Sequence, residues 1–337
     1  MEFLSEYGLF LAKAVTFLVV LVLVVGVIAS AGQKSKPSKI KVTHLNEKLD
    51  LLKKHLQEAV LDKKELKKLA KSAKKAEKEA QNDNPKEKVY VLNFNGDIKA
   101  SQSEQMKDEI TALLSLGEGI DEVVVNVESG GGMVHQYGFA ASQLERIKQA
   151  GLPLTVCVDK VAASGGYMMA VVADKIVAAP FAILGSIGVI AQLPNFNKLL
   201  KKNDIDFEVH TAGEYKRTLT VFGENTDKAR EKFREDLADV HVMFKDFVGG
   251  RRPSVDVEKV ANGDVWYGQK ALEVNLVDEL KTSDEYLQLR CNSADVYVIS
   301  SEKKKSVFEK MGLAAQSGVS QGIESALQKM SFQKWFV

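Results

Sequence analysis

The sequence predicts an α/β fold in which helices cover a mostly parallel, buried sheet. Runs such as "EVVVNV" (122–127) and "LTVCV" (154–158) are apolar at most successive positions, which is typical of strands buried on both faces. Helix-length stretches separate these runs, and chains that alternate strands with helices in this way form parallel sheets. With 337 residues, the chain is long enough for one large domain or two modest ones.

An apolar segment near the N-terminus predicts a membrane anchor. No charged residue occurs between Ala14 and Ala31, a length close to the ~20 residues that a helix needs to cross hydrocarbon. A cleaved signal peptide is the alternative, because the "ASA" at 29–31 fits a cleavage site. The acidic N-terminal tail and the long apolar run favour an uncleaved anchor, so residues 1–33 are predicted to form the tail and one transmembrane helix.

A lysine-rich stretch follows and predicts a charged helical stalk over residues 34–88. It holds 17 lysines against 9 acidic residues, and Leu or Ala recurs at heptad-like spacing from Leu45 onward. The apolar seam is narrow and is interrupted by Lys63 and Glu77, so a solvated helical linker competes with a coiled coil or a membrane-surface helix. The sequence "QNDNP" (81–85) predicts the end of the helix.

The charge balance after the stalk and the cysteine content of the chain exclude several classes of function. Residues 89–337 hold 28 Lys and Arg against 34 acidic residues, so we expect no nucleic-acid partner. The two cysteines, Cys157 and Cys291, give neither a disulfide framework nor the spacing of a metal site. Cys157 lies in a strand-like run and is predicted to be a buried small hydrophobic residue.

The predicted elements alternate through a domain that spans residues 89–300. Strands are expected at 89–94, 122–127, 154–158, 175–178, 188–191 and 207–210. Helices are expected at 100–115, 134–150 and 164–173, followed by a long amphipathic stretch at 226–249 and a turn–helix–turn unit at 265–280. The basic, Gln/Ser-rich residues 301–337 are predicted to form a loosely held tail.

One serine between small residues is a candidate nucleophile. Ser164 in "VAASGGYMMA" follows a predicted strand and opens a predicted helix, a place where serine most often serves as an N-cap. The two residues behind it, Gly165 and Gly166, permit the close approach of another backbone. N–H groups at a helix start can also stabilise a developing negative charge. The layout resembles a nucleophile elbow in its logic, although the G-x-S-x-G motif is absent.

A second glycine cluster, "ESGGGMV" (128–134), also lies between a predicted strand and a predicted helix. Its N–H groups are candidates for the other half of an oxyanion hole, and an ordinary glycine-rich turn is the alternative. The cluster lacks the G-K-[ST] of a P-loop and the G-x-G-x-x-G spacing of a dinucleotide site.

A serine nucleophile needs a base, and the sequence leaves two candidates. His135 follows the glycine cluster, although its place in the first turn of a helix favours an exposed surface residue. Lys216 lies in "HTAGEYKRTLTVFGENT" (210–226), a stretch rich in small, hydroxyl and apolar residues. A lysine base must be neutral, which burial away from carboxylates favours, and Ser186 is a candidate hydroxyl to orient the amine.

Four segments together resemble the signal peptide peptidase family of membrane serine–lysine proteases, within the ClpP/crotonase-like superfamily. They are "ESGGGMV", "SGGYMMA", "APFAILGSIGVI" and "GEYKRTLTVFGENT", and they occur in the family's order. The resemblance covers nearly the whole chain and implies a ClpP/crotonase-like spiral of β-β-α units after the anchor and stalk. It also implies a serine endopeptidase of the inner membrane of Gram-negative bacteria that needs no metal or cofactor.

The resemblance assigns roles to individual residues. Ser164 matches the nucleophile, Lys216 the general base, and Ser186 the serine that hydrogen-bonds the lysine amine. The oxyanion-hole backbone corresponds to Gly131, Gly132 and Gly165. The family usually has proline before the glycines of the loop, whereas this chain has Gly130, whose extra backbone freedom would cost some preorganisation.

The expected partners are peptide or protein substrates, the lipid bilayer and other copies of the chain in a homo-oligomeric ring. The resemblance implies that serine and lysine can come from different protomers, and that membrane-associated or misfolded polypeptides and signal-peptide remnants are substrates. Lysines after the anchor would place the bulk of the chain in the cytoplasm, whereas the family resemblance points to the periplasm. We expect the periplasmic location. A non-catalytic membrane scaffold and a crotonase-like acyl-CoA enzyme are the alternative functions.

Overall fold

The computed structural model describes residues 39–69, 71 and 86–302, together with seven positions between residues 7 and 17. The predicted anchor at 14–31 lies outside the described residues except for Thr16 and Phe17, and the predicted tail at 301–337 lies outside them after Glu302. In the part of the chain that is described, no helix is both long and apolar enough to cross a bilayer. The anchor and the tail therefore stay predictions.

Strands of the described residues form one ten-stranded sheet, which confirms the predicted α/β class. They are β1 (Lys39–His44), β2 (Glu87–Gly96), β3 (Glu122–Ser129), β4 (Leu154–Val158), β5 (Val161–Ala163), β6 (Lys175–Ala178), β7 (Ile183–Gly185), β8 (Val265–Tyr267), β9 (Glu279–Leu280) and β10 (Ala294–Glu302). The main path runs β1-β10-β2-β3-β4-β6-β9, and a branch runs from β3 through β5 and β7 to β8. Along the main path from β10 to β9 and along the branch as far as β7 the pairs are parallel, whereas β7 and β8 are antiparallel.

Helices connect most of the strands. They are α1 (Leu45–Val60), α2 (Ser103–Leu114), α3 (Val134–Gln149), α4 (Gly165–Ala170), α5 (Asn197–Lys202), α6 (Asp227–Arg251), α7 (Val257–Val260), α8 (Gly268–Glu273) and α9 (Ser283–Cys291). The longest, α6, begins where the Thr226 hydroxyl accepts a hydrogen bond from the N–H of Ala229. Such a cap satisfies one of the N–H groups that have no partner inside the helix, which explains why the helix begins there.

Alternate residues of the central strands enter two separate apolar clusters. Val123 and Val125 of β3 join the larger cluster with helices α2, α3, α4 and α6, whereas Val124 joins a smaller cluster with Leu287 of α9. Because successive side chains of a strand point to opposite faces, apolar residues cover the sheet on both faces. This is why the strands occur as continuous apolar runs in the sequence. Cys157 is buried in the smaller cluster, as predicted.

Two of the predicted strands are wrong. Residues 188–191 are not a strand, because β7 lies earlier and ends at Gly185. Gly185 (φ 85°) and Ser186 (φ 50°) have a left-handed backbone that turns the chain away. Residues 207–210 are irregular, and their apolar side chains are exposed rather than covered by a neighbouring strand. Strand propensity alone therefore does not suffice where no partner strand is available.

The beginning of the predicted stalk contributes to the sheet. Strand β1 pairs with β10, and α1 begins at Leu45, where the heptad-like pattern starts. The Asn46 amide connects these elements, because its Nδ2 donates to the carbonyl oxygen of Ala294 (2.9 Å) and its Oδ1 accepts from the N–H of Val296 (2.8 Å). The stalk limits at 34–88 stay a prediction, but its first helix is anchored to the α/β domain.

Four strands end at the same edge of the sheet and bring the candidate residues together. The parallel registers pair Gly96 of β2 with Ser129 of β3, and Ser129 in turn with Ala162 of β5. Farther along the branch, Ala163 of β5 pairs with Gly185 of β7. Since neighbouring parallel strands have their carboxyl ends on one side, the segments that follow them meet there. These segments begin at Asp97, Gly130, Ser164 and Ser186.

Candidate active site

Ser164 lies at a sharp turn between β5 and α4. Its φ of 50° is in the left-handed region that residues other than glycine rarely adopt, so the surrounding structure must hold it there. Two backbone hydrogen bonds do this: the Ser164 N–H donates to the carbonyl oxygen of Gly185 (2.8 Å), and its own carbonyl oxygen accepts from the N–H of Met168 (2.9 Å). The half-buried side chain makes no capping hydrogen bond, so its hydroxyl is not used as an N-cap.

The structure places Ser186 next to Ser164. Ala163 and Gly185 are register partners on the parallel strands β5 and β7, and each serine is the residue that follows its partner. Neighbouring strands lie about 4.8 Å apart, so the two serine backbones are close. Ser186 also has a φ of 50°, and its N–H donates to the carbonyl oxygen of Asp264 (2.7 Å). A second half-buried hydroxyl residue therefore borders the candidate nucleophile.

The glycine loop after β3 packs directly against the Ser164 turn. Gly131 has a φ of 88°, and a Cβ atom there would lie 2.7 Å from Ser164 Cβ and from the nitrogen of Gly165. Only glycine permits both this backbone conformation and so close an approach. The N–H of Gly131 donates to Ser129 Oγ at 3.0 Å. One of the three predicted oxyanion-hole amides is thus already hydrogen-bonded inside the protein.

The other two predicted amides, those of Gly132 and Gly165, have no hydrogen-bond acceptor among the described residues. The amide of the residue that follows Gly132 is hydrogen-bonded, since the N–H of Met133 donates to the carbonyl oxygen of Ile98 (2.9 Å). Gly165 is the first residue of α4, where N–H groups lack a partner inside the helix. Two donors in the segments that contact Ser164 are the set that an oxyanion hole requires.

Lys216 lies in an irregular, exposed segment. Its N–H donates to the carbonyl oxygen of Gly213 (3.2 Å), which closes a turn, and its side chain is exposed. Within the described part of the chain, no hydrogen bond or ion pair joins its ammonium group to Ser164 or Ser186. In a single chain, the predicted base and the predicted nucleophile therefore do not form a hydrogen-bonded pair.

The segment that carries Lys216 exposes much apolar surface. We call residues 190–226 the arm; Asn195 ties it together, because its Nδ2 donates to the carbonyl oxygens of Thr220 (2.9 Å) and Gly223 (3.0 Å). Exposed apolar side chains of the arm include Ile190, Phe196, Leu199, Ile205, Phe207 and Phe222. A cluster of exposed apolar side chains on one segment is typical of an interaction surface.

The five histidines offer no alternative base beside Ser164. His135 is exposed at the start of α3, in agreement with its interpretation as a surface residue. Nε2 of His241 contacts the carbonyl oxygen of Ala261 (2.9 Å), and His210 is exposed. Among the hydrogen bonds of the described residues, none joins a histidine to the Ser164 hydroxyl.

Two residues that the sequence analysis missed lie beneath the glycine loop. Ser129 and Tyr137 are both buried, and their hydroxyl oxygens are 2.5 Å apart. Ser129 directly precedes the three glycines, and a serine at the buried end of a strand is a signal that could have identified it. Tyr137 gives no such signal, because in the sequence it occupies an ordinary core-facing position of a helix.

Comparisons with known proteins point to a protease. The family description "Peptidase family S49 N-terminal" matches residues 2–144, and "Peptidase family S49" matches residues 146–297. The protein named "Probable protease SohB" from Haemophilus influenzae is 46% identical over 330 residues, which cover 94% of each chain. The protein of the same name from Buchnera aphidicola subsp. Acyrthosiphon pisum is 44% identical over 337 residues and 99% of each chain. The region matched by "Peptidase family S49 N-terminal" includes the glycine loop. The region matched by "Peptidase family S49" includes Ser164, Ser186 and Lys216.

Proposed function

Because the chain belongs to peptidase family S49, we propose that it is a membrane-anchored serine endopeptidase that uses a Ser164–Lys216 dyad. The two relatives described above are both named "Probable protease SohB" and match this chain over nearly their whole length, which supports peptide-bond hydrolysis. The observation that carries the serine mechanism is the Ser164 turn. A strained, half-buried serine that caps no helix lies against a glycine loop, as a nucleophile requires.

The proposed reaction is acyl transfer. Neutral Lys216 takes the proton from Ser164 Oγ, which attacks the carbonyl carbon of the substrate peptide and forms a tetrahedral intermediate. The N–H groups of Gly132 and Gly165 donate to the oxyanion. The protonated lysine then gives its proton to the leaving amine as the C–N bond breaks. Water hydrolyses the acyl-enzyme in a second cycle of the same steps, while the Ser186 hydroxyl orients the lysine amine.

The dyad is completed by Lys216 of a neighbouring copy of the chain in a homo-oligomeric ring. A lysine that acts as a base must be neutral, and burial away from carboxylates is what disfavours its charged form. Lys216 is exposed in the single chain, so the site needs an additional surface that covers it. The exposed apolar side chains of the arm supply a surface that another copy can bury. Oligomerisation is then a condition of activity.

The substrates and the membrane location follow from the family and the N-terminal sequence. The uncharged residues 14–31 support a single-pass anchor. The family resemblance favours the inner membrane of a Gram-negative bacterium, with the peptidase domain in the periplasm. An enzyme held there acts on membrane-associated or misfolded polypeptides and on signal-peptide remnants. Exposed Ile98 and Met133, which flank the glycine loop, favour substrates with apolar side chains near the cleaved bond.

Covalent labelling tests the reaction class. A fluorophosphonate probe should modify the detergent-solubilised wild-type protein at one residue, and peptide mapping by mass spectrometry should locate the adduct on Ser164. The probe reacts with activated serines and leaves the enolate-stabilising site of an acyl-CoA enzyme unmodified. A heat-unfolded sample is the control for non-specific reaction. Absence of an adduct in the oligomeric protein, or its location on another serine, would exclude Ser164 as the nucleophile and favour the acyl-CoA or scaffold alternatives.

A further inference from the structure

A chain of hydrogen bonds with a single direction runs beneath the glycine loop. The Tyr137 hydroxyl donates to the carbonyl oxygen of Asp97 (2.7 Å), which can only accept. Because this uses the one hydroxyl hydrogen of Tyr137, the 2.5 Å contact with Ser129 is a bond that Ser129 donates. Ser129 Oγ in turn accepts the N–H of Gly131. The chain therefore runs from the loop through two hydroxyls to a carbonyl oxygen.

Both hydroxyls are out of contact with water, which makes the chain sensitive to the loss of any member. Ser129 is 2% exposed and Tyr137 is 0% exposed. Burial raises the pKa of Tyr137, so the phenol keeps the proton that it donates. In a buried site each hydrogen bond polarises the next, and removal of one partner leaves another polar group unsatisfied.

The same pair of side chains contacts the second loop of the site. A Cβ atom at Gly165 would collide with Cγ of the Tyr137 ring, so the start of α4 rests on this ring. A Cβ atom at Gly96 would lie 2.5 Å from the Tyr137 hydroxyl and 2.6 Å from Ser129 Oγ. The pair is thus enclosed by glycines, and nothing on these sides leaves room for it to shift.

We propose that Ser129 and Tyr137 are positioning residues for the oxyanion hole. They hold the Gly131 amide inward, so that the Gly132 N–H, between two bonded amides, is the one left for the oxyanion. The Tyr137 ring contacts the start of α4 and so fixes the distance between the Gly165 amide and the oxyanion. This inference rests on the proposed protease function, because it assigns positioning residues to the site of that reaction. It assigns to these two buried side chains a role in rate rather than in substrate binding.

Matched variants separate positioning from stability. Tyr137→Phe and Ser129→Ala should lower kcat for peptide hydrolysis about 10- to 100-fold, with KM changed less than about twofold, because donors misplaced by a fraction of an ångström lose transition-state contacts. Tyr167→Phe is the control, since Tyr167 is also 0% exposed and its hydroxyl donates to the carbonyl oxygen of Leu276 (2.9 Å), away from the glycine loop. The control should change kcat less than about twofold, although both Tyr→Phe variants lower the melting temperature by about 2–4 °C.

Two further measurements make the test independent of a single rate. The double variant should be about as slow as the slower single variant, because both residues act through one loop. Hydrogen exchange followed by mass spectrometry should show faster exchange in residues 129–134 for Ser129→Ala and Tyr137→Phe, and no change for Tyr167→Phe. Equal kcat in Tyr137→Phe and Tyr167→Phe, together with unchanged exchange in the loop, would overturn the proposal.

The controls also distinguish this proposal from the protease function on which it rests. One outcome is that the wild type is active, Ser164→Ala is inactive, and Ser129→Ala, Tyr137→Phe and Tyr167→Phe are all fully active. This result would support the protease function and refute the positioning role. Activity in Ser164→Ala would refute the protease mechanism itself. In that case unchanged exchange in residues 129–134 would refute the hydrogen-bonded support of the loop as well.

Discussion

Ser164→Ala abolishes hydrolysis of apolar peptide substrates, with kcat at least about 10⁴-fold below that of the wild type. The expected loss is this large because no other group forms the acyl-enzyme, and removal of a nucleophile alone eliminates most of the rate enhancement of such enzymes. The assay is hydrolysis of a panel of apolar peptides by the detergent-solubilised protein. The melting temperature should stay within about 2 °C of the wild type, because the hydroxyl caps no helix.

His135→Ala serves as the control for this experiment. His135 is exposed and lies three residues after the last glycine of the loop, so it shares the neighbourhood of the site without a proposed role. We expect its kcat within about twofold of the wild type, as for other exposed substitutions without a role in the reaction. Full activity in Ser164→Ala would contradict the account, and so would an inactive His135→Ala variant.

Lys216→Ala is expected to lower kcat about 10⁴-fold, since the proton of Ser164 then has no acceptor in the site. Lys216→Arg should be equally inactive, because a guanidinium keeps the positive charge but does not give up its proton. Hydrolysis of the same peptide panel measures both variants. Lys202→Ala is the matched control: Lys202 is also an exposed lysine of the arm and has no assigned role. Activity retained in Lys216→Arg would show that the residue supplies charge rather than acting as a base.

The sequence permitted the prediction of the central sheet and of the nucleophile but not of the support beneath the site. Strands β2, β3 and β4 are recognisable in the sequence as Val-containing apolar runs, because they are buried on both faces. Ser164 stands out because its small neighbours allow the glycine loop to approach it. The hydrogen-bonded chain from Gly131 to Asp97 was not predictable, since it joins residues from three segments that only the sheet brings together.

The remaining errors have local physical causes. Strand β7 is three residues long, and its continuation at 188–191 has the higher apolar content, so composition placed the strand after the turn instead of before it. Strand β10 contains the short apolar run "VYVI" (296–299), which does not by itself identify a strand, although pairing with β2 and β1 places it within the sheet. Only the family resemblance identifies Lys216, because its flanking composition alone does not distinguish it from a solvated lysine.

A mixing experiment tests the central claim, that Ser164 of one copy and Lys216 of another form one active site. Ser164→Ala and Lys216→Ala chains would be co-expressed in equal amounts, purified as mixed oligomers and assayed on the peptide panel. Random assembly predicts about one quarter of the wild-type activity, because half of the serines and half of the neighbouring lysines are intact. The two chains would carry different affinity tags, and purification through both tags would confirm that they mix. Doubly tagged oligomers of wild type with Ser164→Ala should retain about half of the wild-type activity. No activity in any mixture of the two inactive variants would contradict a dyad shared between copies of the chain.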